Sequence, residues 1–240
     1  APRDAGAAAE MWAALRRSLR DADFANLRKM PIMLGTTPNP LALLPFRHEA
    51  AEASNIVRMG EDFEDYRHAL GKKVRKEFDR SWRVFTATPD ARFEIVADEA
   101  EALRVYETIS LQQRERMEEV GQAYTLDRPE NDAFYRALIR DGFATGEVVV
   151  SALKAGDTIV AGLMSVRSGQ DCVMIRISNA GGEWSRCSPG RLILERTMAA
   201  LHARGARSFD FSIGNYGYKR RMGVEAVGLV ELTAPLSLRG

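Results

Sequence analysis

Along residues 62–85, apolar side chains recur at three- and four-residue steps: Phe63, Tyr66, Leu70, Val74, Phe78, Trp82 and Phe85. That spacing predicts one buried face of a helix. Upstream the pattern is less regular. Residues 1–9 read as a disordered or processed start and 10–19 as an amphipathic helix. The stretch 30–46 carries Pro31, Pro38, Pro40 and Pro45. Such proline density predicts extended or turn structure, with Ile32-Met33-Leu34 and residues 41–44 as short strands between the prolines.

After Pro89 the alternation becomes orderly. Phe93 and Ile95 alternate in a strand over 91–97. Asp98, with Glu101 three residues on, forms a capping-box-like start to a helix reaching Val120, which Gly121 ends. A second helix spans 130–140. Three β-rich runs follow, 147–154, 158–167 and 171–178, separated by Ala155-Gly156-Asp157 and Ser168-Gly169-Gln170, connections typical of antiparallel hairpins. Then come a loop over 179–189, a helix over 190–204 closed by Gly205, a strand over 207–213 and a last strand over 227–232. The order predicts an α+β fold, a sheet with helices on its faces.

Composition narrows the function classes. Hydrophobic residues at 45% and charged residues at 28% are ordinary for a globular chain of 240 residues. A formal net charge of +1 supplies no global field toward nucleic acid or acidic membrane, so any such attraction must be local. One local excess stands out: residues 67–83 hold seven Lys/Arg and two acids. It is either the solvated face of a helix or a site for an anionic partner. Cys172 and Cys187 form no CxxC and no histidine stands at ligand spacing, which argues against zinc and a disulfide framework. A reducing, cytoplasmic compartment follows as the expectation. The apolar runs are too short to span a bilayer, so no membrane insertion is expected. His48, His68 and His202 read as structural or surface residues.

The chemistry concentrates in the last third. In Arg186-Cys187-Ser188-Pro189-Gly190-Arg191, Ser188 is placed to cap a helix with Pro189 at its first position. The helix N-terminus is suited to phosphate oxygens; the plainer reading is a capped helix end. In the next strand Phe209, Phe211 and Ile213 face one side and Ser208, Asp210 and Ser212 the other. Either that polar face lines a cleft or it meets solvent. Gly214 and Gly217 precede the basic cluster Tyr218-Lys219-Arg220-Arg221.

The spacing from Ser188-Pro189-Gly190 through Phe209-Asp210-Phe211-Ser212-Ile213-Gly214 to Tyr218-Lys219-Arg220-Arg221-Met222-Gly223 resembles the GNAT-like acetyltransferases associated with bacterial cellulose and exopolysaccharide biosynthesis. That family is similar in turn to the Fem-type peptidoglycan aminoacyltransferases, which join two GNAT-like domains. The resemblance covers residues 63–223, including Gly71-Lys72-Lys73-Val74-Arg75-Lys76. It implies a mostly antiparallel GNAT-like sheet whose fourth and fifth strands splay apart, here between 174–178 and 208–212, to admit the pantetheine of an acyl-CoA, acetyl-CoA above all. It also implies a GNAT-like acyltransferase domain over 61–240, with 1–60 as the remnant of an N-terminal GNAT-like subdomain or an extension. Ile175, Ile177, Arg186, Ser188, Gly190, Arg191 and Leu192 would then hold the carrier, its pyrophosphate lying on N–H groups near Gly190 to Leu192. Leu192 stands where the family's phosphate loop has a second small residue. That departure leaves another acyl carrier open.

The implied activity is transfer of an acyl group to an amine of a small molecule, saccharide or peptide. A backbone N–H near Ile177 would meet the oxyanion, and Asp210 would orient or deprotonate the acceptor. Lys219 would hold an anionic group or stabilise developing charge, with Tyr218 and Arg220 binding substrate; on this reading Lys219→Ala spares stability. Two alternatives stand beside it: a Fem-like transferase using aminoacyl-tRNA, with residues 67–83 on its phosphates, and a non-catalytic GNAT-like binding module. No metal is expected.

Overall fold

The computed structural model describes residues 4–19, 21–124, 126, 128–214 and 216–236. The chain forms two compact units, one from the described residues within 1–56, 213–216 and 225–240, the other from 57–212 and 217–224.

In the first unit, helix α1 (Ala5–Ser18) starts five residues before the expected 10. The Asp4 carboxylate accepts from the Ala7 N–H at 2.9 Å, and the alanines that follow are strong helix formers. The expected unstructured start is therefore helical from Ala5, and residues 1–3 lie outside the described residues. Strands β1 (Phe24–Pro31), β2 (Met33–Leu34) and β3 (Thr37–Pro38) follow, then a 3-10 turn at Pro40–Leu43 and strand β4 (Arg47–Arg58). The strand expected over 41–44 is that turn: the Asn39 side chain accepts from the Leu41 N–H at 3.1 Å and starts it. β4 reads RHEAAEASNIVR, alanine-rich and charged, with little strand propensity. It is a strand because the last one, β10 (Glu225–Pro235), pairs antiparallel with it on one edge and with β1 on the other. Trp12, Met30, Leu44, Val230 and Leu232 form this unit's core.

The second unit opens with α2 (Phe63–Ala69) and α3 (Gly71–Thr86), where one helix is expected. Gly71 at φ +80° is the break, a left-handed residue that terminates the first helix. β5 (Ala91–Ile95), α4 (Glu99–Glu119), α5 (Pro129–Gly142), β6 (Val148–Ala155), β7 (Thr158–Ser168) and β8 (Asp171–Asn179) follow the expected order. Asp98 caps α4 as anticipated, accepting from the Glu101 N–H at 2.9 Å. A 3-10 turn at Gly182–Cys187 leads to α6 (Pro189–Ala203), β9 (Ser208–Asp210) and α7 (Gly217–Arg221).

Strands β5 to β8 pair antiparallel in sequence order, and β9 joins β8 in parallel. This is the mixed, mostly antiparallel sheet that the resemblance implies, on the α+β order read from the sequence. β6 is buried on both faces: Val148, Val150 and Ala152 pack with α4 and α5, while Val149 and Leu153 join the core of α3 and α6. Full burial of each of these valines and of Leu153 contributes about 1.5–3 kcal/mol. Gly162 on β7 lets α4 approach, since a Cβ there would lie 2.7 Å from Ile109 Cγ1. Both cysteines are buried and unbridged. Among the described residues, no helix is long and apolar enough to cross a membrane.

Candidate functional site

The parallel pairing of β8 and β9 is short. It joins Asp171 to Ser208, Cys172 to Phe209 and Val173 to Asp210, and stops there, while β8 runs on to Asn179. The strand expected over 207–213 ends at Asp210 because the Asp210 carboxylate accepts from the Ser212 N–H at 2.6 Å and turns the chain. Ser212, at φ +61°, cannot continue a strand. From Met174 onward, β8 therefore has no β9 partner on that edge.

Along that stretch a register shift falls between Met164/Ser165 and Arg176/Met174, leaving Ile175 as the extra residue of a bulge. The bulge breaks the alternation that a regular strand would keep. Ile175 packs with the α4–α5 core and Ile177 with the α3–α6 core, so these two expected carrier contacts do not share a face. The Ile177 carbonyl accepts from Gln113 Nε2 at 2.8 Å rather than from β7. A strand residue's N–H and C=O point to the same side, so the Ile177 N–H faces the edge that β9 leaves open. Gln113, which braces this edge from α4, carried no signal in the sequence.

Ser188 occupies the N-cap position of α6 but in the left-handed region, at φ 48° and ψ 58°, and its side chain makes no capping bond. Its Oγ instead accepts from Arg191 Nη2 at 3.1 Å. The Arg191 and Leu192 N–H groups both donate to the Ser188 carbonyl at 3.1 Å, so two of the three expected phosphate donors are engaged in the first helical turn. Gly190 is required for a packing reason, because a Cβ would lie 2.5 Å from Asn179 Oδ1. Arg186 is exposed on the 3-10 turn, and Leu192 is fully buried in the core.

Glu77 on α3, missed by the sequence reading, ties this turn to α7. Its carboxylate accepts from Arg191 Nη1 at 2.9 Å and meets Arg221 at 3.5 Å. The hydrogen bond from Arg191, with the charges of Arg191, Arg221 and Lys73, holds it below the usual carboxylate range. Arg191, Gly217, Tyr218, Arg220 and Arg221 line an open groove of about 520 Å³. Lys72, Lys73, Lys76 and Arg80 border a second groove of about 520 Å³ with Glu77. Of the seven cations expected to act together, Arg67 is committed elsewhere, to Glu64, Asp79 and Glu195.

Asp210 and Lys219 come together, but in a structural arrangement. Lys219 is 2% exposed, and its ammonium donates to the carbonyls of Phe211 at 2.8 Å and Ser212 at 3.0 Å. Burial pushes its pKa down, opposed by the nearby Asp210 carboxylate. Both residues thus shape the turn at which β9 leaves β8. The expectation that Lys219 touches an anionic ligand while sparing stability does not fit this geometry. Among the described residues, no group of three His, Cys, Asp or Glu could hold a metal ion.

The sequence model of the acetyltransferase (GNAT) domain family matches residues 72–220. Comparison with the curated proteins gives no match. Among solved structures, the chain is similar to FemX (TM-score 0.59, 10% identity, over 91% of this chain and 67% of that one). It is also similar to the C-terminal domain of a putative lysylphosphatidylglycerol synthetase from Agrobacterium fabrum (0.58, 11%, 92% and 71%). A third likeness is to a tandem GNAT protein from the clavulanic acid biosynthesis pathway (0.50, 10%, 98% and 72%). At these identities the likeness shows a shared fold.

Proposed function

Because this chain belongs to the acetyltransferase (GNAT) domain family, we propose that it is an N-acyltransferase that moves an acyl group from acyl-CoA, acetyl-CoA above all, to an amine. One observation carries the reading: β8 and β9 part after Val173 and Asp210, leaving a strand edge with the Ile177 N–H turned toward it. A pantetheine arm laid along that edge is held by strand-like hydrogen bonds. Its thioester oxygen, negative in the tetrahedral intermediate, accepts from an edge N–H. The amine nitrogen attacks the carbonyl carbon, its proton passes to a base, the C–S bond breaks, and the sulfur leaves as a thiolate that takes up a proton to become the free thiol. Asp210 is the proposed orienting group or base, and Lys219 acts through the turn it holds. Arg186, Arg191 and the Ser188–Gly190 turn take the carrier's phosphates, and Tyr218 and Arg220 border the acceptor.

The finer setting belongs to the same proposal. The acceptor is a small-molecule, saccharide or peptide amine of envelope or exopolysaccharide metabolism. Residues 61–240 are the proposed transferase domain and 1–60 the remnant of a GNAT-like subdomain or an extension, with the described residues of 213–216 and 225–240 folding in the same compact unit as 1–56. Thermal melts and calorimetry with acetyl-CoA and longer acyl-CoAs test the donor. A ligand specific for the folded state at about 100 times its Kd adds roughly 2.7 kcal/mol. No stabilisation by any acyl-CoA would sink the coenzyme A donor.

A second donor has its own support. Lys72, Lys73, Lys76 and Arg80 are exposed on one helix beside the Arg191–Arg221 groove, a surface suited to a polynucleotide backbone. On this reading the donor is an aminoacyl-tRNA, and binding weakens steeply between about 50 and 200 mM salt. Salt-insensitive or absent tRNA binding removes it.

A further inference from the structure

Residues 30–46, MPIMLGTTPNPLALLPF, take no part in the acyl-transfer geometry, and they hold no Asp, Glu, Lys, Arg or His in a chain that is 28% charged. Part of this segment is core: Met30, Ala42 and Leu44 are buried in the first unit. The middle is not. Every residue from Pro31 to Thr36 is exposed, with Ile32 at 49%, Met33 at 46% and Leu34 at 54%. Phe46, at the far end of the segment, is 40% exposed. Consecutive exposed apolar residues of this kind mark a surface that something apolar covers.

The hairpin is held at its base. Asn39, 5% exposed, donates from its backbone N–H to the Ile32 carbonyl at 2.9 Å and from Nδ2 to the Pro31 carbonyl at 2.8 Å. Beyond it Met33 pairs with Pro38 and Leu34 with Thr37, and Gly35 turns the chain at φ +61°. The carbonyls of Pro31 and Ile32 thus have donors without water, which an apolar surrounding demands of a backbone. Successive strand residues point to opposite faces, so Met33 and Leu34 expose apolar surface on both sides of the hairpin. A flat partner would cover one side; a fluid apolar phase covers both. The groove of about 580 Å³ beside the hairpin is lined by Arg47, His48 and Glu49 as well as Ile32 and Pro45, too polar a seat for the same tip of a second copy.

We infer that the β2–β3 hairpin is a membrane-surface anchor, with Ile32, Met33 and Leu34 dipping into the interface of a phospholipid bilayer. At about 3.3 Å per residue, the three residues from Ile32 to Gly35 reach about 10 Å, the depth of the headgroup–acyl boundary. The segment enters one surface and is far too short to span the bilayer. The basic residues flanking it are matched by acids: Arg28 and His48 meet Glu231 at 3.4 and 3.6 Å, and Lys29 meets Glu52 at 3.0 Å. Attachment is therefore driven by apolar burial and does not depend on lipid charge. It goes beyond acyl transfer and does not rest on it.

The test is co-sedimentation of the full chain with vesicles of phosphatidylcholine alone and of phosphatidylcholine with phosphatidylglycerol. Each arm is run at low salt and at about 1 M sodium chloride, where charges are screened within about 3 Å. The wild type is expected to bind both vesicles and to stay bound in high salt. Met33→Asp and Leu34→Asp, one on each face, are each expected to weaken binding roughly tenfold. Both positions are exposed, so neither change is expected to move the melting temperature, and Leu34→Gln serves if Leu34→Asp does not fold. A wild type that stays in the supernatant overturns the inference. So does binding confined to phosphatidylglycerol and released by salt, which would assign the contact to the cations of α3. An effect from only one of the two substitutions also overturns it, as does a lipid-free dimer, seen by light scattering, that the same substitutions dissolve.

Discussion

A buried ammonium is tolerable only where its hydrogen bonds replace those it had to water, and Lys219 meets that condition with two backbone carbonyls. Removing it leaves both carbonyls short of a donor at the end of β9. Lys219→Ala is therefore expected to lose roughly 2–3 kcal/mol of stability, read by urea unfolding, together with the proposed acyltransferase activity. A variant of wild-type stability would contradict the role given to the residue here. Glu195 on α6 is a second buried charge, 2% exposed, 3.3 Å from Arg67 and 3.2 Å from Arg196. Burial raises its pKa, offset in part by Arg196 and Arg67. The folded state then binds the proton more tightly than the unfolded chain, so between the ordinary carboxylate value and the raised one, stability falls as pH rises. Glu195→Gln, which does not titrate, is expected to gain stability relative to wild type between pH 5 and pH 8. Paired denaturant melts at the two pH values check the sign.

Among the elements, β7 and α4 show how one missing side chain sets a spacing. Gly162 faces Ile109 and Val105 so closely that a methyl group would meet three of their atoms at 2.7 to 3.0 Å. Gly162→Ala is expected to cost about 1–3 kcal/mol, since a packed core accommodates extra volume poorly. In a chain of this length each kcal/mol corresponds to about 2–4 °C in Tm. No change in Tm would mean that α4 is free to shift. Helix α4 follows its apolar spacing and caps closely, as Asp98 and Gly121 illustrate. β9 does not, because an Asp210 side chain bonded to the backbone two residues on outweighs strand propensity once Phe211 has been buried.

For the whole molecule, a net charge of +1 gives no long-range steering, so attraction of any polyanionic donor falls to the exposed cations of α3 and α7 and the half-buried Arg191 of α6. Replacing Lys72, Lys73 and Lys76 together by Glu is expected to change stability by no more than about 1 kcal/mol while weakening donor binding, measured by titration at two salt concentrations. Unchanged affinity would move the donor's phosphates off α3. What the sequence determined by itself is local: helix spacing, caps, the Gly156 and Gly169 hairpins, and hence the element order that defines the sheet. Those features depend on neighbours within a few residues, where periodicity and turn chemistry act directly. Tertiary structure decided the rest. β4 became a strand through pairing with a segment some 170 residues away, on the order of the whole chain's contour. The bulge at Ile175 separated Ile175 from Ile177, and long-range hydrogen bonds committed Lys219 to the backbone and left one nitrogen of Arg176 unpaired. A charged side chain's role follows from which distant groups desolvate or satisfy it, and that is a property of the packed fold.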